Sequence, residues 1–236
     1  MPKEKMVQIS EQNVRTNGRA IRLAARGGVI GPILFAVMVI IGGVLYDGYS
    51  HAGQKISELG GEGAEYALLQ NLNFILLGLL VIGFVWALAR VLGPSFLGPT
   101  LIGLFGLSSS IANGLLPCDL GCQGETTIGL LHNMTGLAGF IAAILGMFVL
   151  AKRWRDDPMW RSHVGFTRAV MFVAIGGLGW FIATQALDAQ SLAGIAQRTF
   201  VGALLLWIAV TAARLHRQLE QDDRVDEDSA LDTSWA

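Results

Sequence analysis

The side chain in this chain best suited to chemistry is His132, because imidazole titrates near neutrality and serves as general base, proton carrier or metal ligand. It lies in the stretch LLPCDLGCQGETTIGLLHNMTG (115–136), which also supplies Cys118, Asp119, Cys122 and Glu125. Three readings compete for this set. Two thiols on a non-cytoplasmic loop pair as a disulfide, and the short gap containing Gly121 allows that closure. A zinc site would instead recruit Cys118, Cys122 and His132 with Asp119 or Glu125, at a spacing that matches no standard zinc pattern. In the third reading His132 is a satisfied core residue, bonded to Asn73 or Asp119. A Cys118–Cys122 disulfide is the expectation, with no metal site and no cofactor.

Anion recognition is the other chemistry on offer. The guanidinium of Arg198 forms a planar fork suited to carboxylate or phosphate. It could equally pair with Glu58, Asp119 or Asp188, or reach outward to phospholipid headgroups. The candidate binding set is His132, Arg198, Gln197, Asp119, Glu58, Ser57, Asn71 and Asn73, with His132 also the candidate catalytic base. No phosphate-binding loop, HExxH pair or GxSxG elbow is present.

The elements that hold these residues are set by composition. The chain is 53% hydrophobic and 15% charged, well under the roughly 25% charged residues of a soluble domain. Crossing a hydrocarbon core takes about 20 mostly apolar residues, and six runs qualify: 29–46, 66–92, 96–116, 127–151, 164–186 and 195–215. The expected fold class is all-α, a polytopic membrane bundle of six transmembrane helices. The first run lacks a small-residue cleavage site and reads as a retained helix.

Lysine and arginine placement gives the orientation. The N-terminal arm, the connection from the fourth to the fifth run, and the ends of the second and sixth are basic, whereas the three opposite connections hold only Lys55. Both termini are therefore expected in the cytoplasm, in a multi-pass protein of the plasma membrane. Residues 1–27 form a basic arm, amphipathic over 10–26, and 28–216 form the membrane domain. Residues 217–236 are an acidic tail expected to be disordered. Pro94 and Pro99 mark the turn between the second and third helices.

Depth in the membrane connects the two lines of reasoning. Gln70, Asn71, Asn73, Ser108 to Ser110, Asn113, His132, Asn133, Gln185, Asp188, Gln197 and Arg198 all fall in the half away from the termini. Polar groups at membrane depth are costly and normally line a cavity or pair with one another. The expectation is an outward-facing polar cavity capped by the loops at 49–65 and 118–122. The competing reading is interhelical hydrogen bonding, in which the same side chains serve as glue.

Several segments together resemble one family. GYSHAGQKISELG (48–60), LLQNLNFILLG (68–78), GLLPCD (114–119), GLLHNMTG (129–136) and IAQRTFVGALLLW (195–207) are similar, in order and spacing, to domain-of-unknown-function family 998, prokaryotic proteins with six membrane helices. The resemblance implies a six-helix bundle and no activity.

Function thus stays open among three classes at this point. One is a binding protein for a lipid headgroup or small amphiphile, with membrane lipids as partners and no nucleic acid. Another is a membrane-embedded hydrolase or lipid-modifying enzyme using His132, oriented by Asp119 or Glu58. The last is a structural or accessory subunit.

Overall fold

The computed structural model describes residues 3–93 and 96–233, with side chains over 18–93 and 96–221. Lipid offers no hydrogen-bond partner to a bare peptide group, so an apolar chain in it must satisfy its backbone internally, and helices do so. Helix α1 runs Lys3–Leu45, with Pro32 inside it, and α2 runs Ala67–Leu92. The third element, α3 (97–115), changes register twice: α-helical over Leu97–Leu104, π-helical over Phe105–Ala112, and α-helical over Asn113–Leu115. Helix α4 is Thr127–Arg153, α5 is Val164–Ala186 and α6 is Ala193–Thr233.

Among the described residues, five segments are long and apolar enough to cross a membrane: Gly18–Leu45, Ala67–Leu92, Thr127–Arg153, Arg161–Ala186 and Gln190–Gln221. The π register divides α3 into shorter pieces, although 97–115 as a whole approaches the roughly 20 residues of a span. The chain is a helical bundle with membrane-like helices and, among the described residues, no strand. Large apolar side chains such as Val44 (78% exposed) and Leu68 (72%) cover its outside, where a soluble protein would carry charge.

Each helix packs on its neighbours in sequence, and α6 closes on α1, so the bundle is a ring. One end, the loop end, gathers the connections 46–66, 116–126 and 187–192. The opposite end holds the starts of α1, α3 and α5 and the ends of α2 and α4. There the ring is filled. Trp154 stacks on Trp160 with ring centroids 4.6 Å apart, Trp207 lies 6.2 Å away, and all three are fully buried. The Trp207 indole donates to Thr167 Oγ1 at 3.0 Å, and His163 Nε2 meets Thr211 Oγ1 at 3.0 Å.

Small residues bring α3 against α4. A Cβ on Gly139 would sit 2.9 Å from the backbone nitrogen of Ser109. With that side chain absent, Ser108 and Ser109 donate to the carbonyls of Thr135 (2.5 Å) and Gly136 (2.7 Å). These bonds are the glue expected between membrane helices.

The expected spans follow the helices closely at the loop end, with α1, α4 and α6 running beyond their limits at the opposite end. The amphipathic arm at 10–26 continues α1, and its residues 10–17 lie outside the described side chains. The acidic tail expected to be disordered continues α6 to Thr233 in backbone, with side chains beyond 221 outside the described set.

Candidate functional site

The loop end holds a cavity of about 480 Å³ to which all six helices contribute. That volume lies within the roughly 300–1,000 Å³ of small-molecule pockets. Its apolar wall is aromatic: Phe35, Phe74, Phe105, Phe140, Phe181 and Phe200. Its polar lining comes mainly from Lys55, Ser110, Asn113, His132, Gln185 and Gln197. The π segment of α3 presents Ser109 and Ser110 to it, with Asn113 directly after, and such irregular turns recur at functional sites.

His132 lines the cavity and is buried. Its Nδ1 lies 2.6 Å from the carbonyl of Leu116, where α3 ends. A carbonyl only accepts, so the network assigns the proton to Nδ1 and leaves the Nε2 lone pair facing Asn113 Nδ2 at 3.4 Å. Asn113 is held in turn by Thr135 Oγ1, which donates to its Oδ1 at 2.8 Å. Neither Asn73 nor Asp119, the partners anticipated for this ring, bonds to it. Asn73 donates instead to Phe35 O at 3.3 Å.

Asp119 is buried but does not line the cavity. Its carboxylate accepts from the backbone N–H of Thr126 (2.9 Å) and Gly124 (3.0 Å). Those donors hold its pKa below the usual aspartate value. Thr126 caps α4 by accepting from Gly129 N at 2.9 Å, and the absent side chain of Gly129 makes room for the carboxylate. Asp119 thus ties the 116–126 loop to the start of α4.

Arg198 also lies off the cavity lining. Its guanidinium donates to Gln54 O (2.8 Å), Gly194 O (3.1 Å) and Tyr49 Oη (2.6 Å), and meets His51 Nδ1 at 3.0 Å. Both forks of Arg198 are therefore spent on the first loop. Burial raises the Tyr49 pKa against the opposing pull of Arg198, while burial and Arg198 together lower that of His51. The neighbouring Gln197 lines the cavity and accepts from Ile56 N at 2.5 Å, and Gly194 N donates to Gly53 O at 3.0 Å.

The same loop is fastened on its other side. Glu58 accepts from Lys55 N at 2.8 Å and from Gln54 Nε2 at 3.3 Å, and Asn71 donates to Gly60 O at 3.0 Å. Glu62 N donates to Cys118 O at 2.9 Å. Cys118 and Cys122 are joined as a disulfide, with Cys122 in the left-handed region at φ 51°. Among the described residues, no group of three or more His, Cys, Asp or Glu side chains is placed to hold a metal.

A family model described as "Protein of unknown function (DUF998)" matches residues 29–214, most of the chain and all six helices. The chain belongs to the DUF998 family. No curated protein and no solved structure matches it.

Within this DUF998 chain, the structure brings together His132, Gln197 and Ser57 of the candidate set around one cavity. Asp119, Glu58, Asn71, Asn73 and Arg198 hold the surrounding loops and helices. The residue that sequence reasoning passed over is Lys55, which lines the cavity at 4% exposure. Its one signal was being the sole basic residue in the three loop-end connections. Ser109, Ser110, Asn113, Gln185 and Asp188 were noted for depth alone and also line the space.

Proposed function

We propose that this protein is a multi-pass plasma-membrane protein, both termini cytoplasmic, whose outward-facing cavity binds a lipid headgroup or small amphiphile. The observation that carries the reading is the division of the lining. Each of the six helices contributes one phenylalanine to the lining. On α3, α4, α5 and α6 the amide, hydroxyl and imidazole groups stand nearer the loop end than the phenylalanine of the same helix, with the Lys55 ammonium in the loop, which matches a molecule with an apolar body and a polar head. The orientation rests on charge: of 17 lysines and arginines only Lys55 and Arg198 belong to the loop end, and the remainder follow the positive-inside pattern. The tryptophan plug at the other end favours binding over passage through the ring.

The hydrolase reading has less support. A catalytic histidine needs an orienting partner and a positioned electrophile. Here Asp119, Glu58 and Arg198 are committed to loop backbone, and His132 Nδ1 is oriented by a carbonyl. Mass spectrometry of the protein released gently from membranes tests the binding reading. A co-purifying amphiphile is expected, and Val201→Trp, which fills the apolar wall, should deplete it severalfold while the protein stays folded. Protein that carries no adduct and tolerates complete delipidation would overturn it.

A further inference from the structure

Lys55 is buried to 4% exposure in a loop that a solvated lysine would simply leave. Its Nζ donates to two neutral carbonyls, Gly121 O at 3.0 Å and Cys122 O at 3.3 Å. An ammonium has three N–H donors, and among the described residues the third meets no acceptor. Among the described residues, no carboxylate lies within ion-pair distance of it, although Glu58 and Asp119 act on it from farther away. Burial pushes the Lys55 pKa down more than those two carboxylates restore it. Buried charges are normally paired, because desolvating one without a counter-ion costs several kcal/mol. Lys55 faces a cavity instead.

A second group on the same lining is unmet. Ser110 is 1% exposed, and its hydroxyl has no hydrogen-bond partner among the described residues. The acidic residue at the cavity, Asp188, is exposed and stands at the rim in a left-handed turn (φ 51°). The buried polar lining is therefore donor-rich and cationic, in a cavity that phenylalanines also line.

We infer that the cavity selects an anionic amphiphile, a carboxylate or phosphate monoester on an apolar chain, with the anion at Lys55 and the chain among the phenylalanines. The inference rests on the binding reading above and names the ligand class for that site. The anion takes the third N–H of Lys55, and the unpartnered Ser110 hydroxyl is assigned to it as a further donor. The apolar chain occupies the space beside Phe140, Phe181 and Phe200.

The test measures binding of C12 probes to the purified full-length protein in a neutral detergent by calorimetry. Dodecyl phosphate and dodecanoate are expected to bind at least tenfold tighter than monododecanoylglycerol or dodecyltrimethylammonium. Lys55→Met should erase that preference while neutral-probe binding persists, Lys55→Arg should keep it, and Ser110→Ala should weaken the anionic probes severalfold. Equal binding of neutral and anionic probes to the unsubstituted protein would overturn the anion while leaving the cavity reading in place. Binding of none would sink both. Inorganic phosphate binding as tightly as dodecyl phosphate would overturn the amphiphile. Should Lys55→Met fail to fold, the probe series on the unsubstituted protein and Ser110→Ala still decide. Phosphatidylglycerol vesicles that compete with dodecyl phosphate would assign the anion to a membrane lipid, and vesicles without effect would assign it to a free single-chain molecule.

Discussion

Polar side chains in this bundle divide by where their hydrogen bonds end. Asp119 ends on backbone N–H groups that converge on it only while the 116–126 loop is folded, so its ionised form is stabilised in the native state. The folded pKa is depressed, so the stabilisation is present above the unfolded value of about 3.9 and is lost as pH falls through the folded value. Melting temperature in detergent should therefore decline as pH drops below about 4. Asp119→Asn should be less stable at pH 7, by about 1 kcal/mol or more, and should lack that acid decline. A variant that keeps the decline would place its source in another carboxylate. His132 illustrates the opposite difficulty of reading residues singly. Its depth and burial followed from the apolar run around it, but its partner is the main chain at Leu116, and no sequence pattern reports a carbonyl left free at the end of a helix.

The first loop is the element whose character was least legible. DGYSHAGQKISELGGEGAE is polar and glycine-rich, which fits a solvated connection, yet Ile56, Ser57, Leu59 and Gly60 are buried and the turn at Ile56–Gly60 is 3₁₀-helical. What folds it is contact with elements distant in sequence: α6 through Arg198 and Gln197, and the disulfide-bearing loop through Lys55 and Glu62. Arg198 invited an expectation of ligand binding because side-chain type reports what a guanidinium can hold, not which way it points. Its several bonds to the loop make it a latch. Arg198→Ala should accelerate amide hydrogen exchange at Gln54, Ile56 and Glu58 by about tenfold or more, since each hydrogen bond to a charged group contributes about 1.5–3 kcal/mol. Exchange in the middle of α2 and α4 should be unchanged. Uniform acceleration across the molecule would mean that Arg198 supports global stability and not the loop alone. The π segment of α3 escaped notice for a related reason. FGLSSSIA is as apolar and helical in pattern as its flanks, and the acceptors that its Ser108 and Ser109 meet lie on α4, distant in sequence.

At the scale of the whole molecule, helix number and the limits at the loop end were legible because uniform apolar runs of about 20 residues have one stable form in lipid. The ring was not legible, because each run is apolar all round and carries no stripe to say which faces meet. The asymmetry of the ring, plugged by Trp154, Trp160 and Trp207 at one end and hollow at the other, places all of the candidate site on one side. The proposed side of the membrane rests on charge, since translocating a Lys- or Arg-rich loop is disfavoured and retaining it is not. Single cysteines at two exposed acids test this without disturbing the core: Asp47 lies at the loop end, and Asp156 lies in the connection between α4 and α5. The native cysteines are disulfide-bonded and leave the background low. A membrane-impermeant maleimide applied to intact cells should label Asp47→Cys, whereas Asp156→Cys should label only after permeabilisation. The reverse pattern would put the cavity mouth in the cytoplasm, where the thiols of Cys118 and Cys122 would be kept reduced. Lys55 would then meet cytoplasmic anions, so the same experiment fixes which pool of molecules the cavity can sample.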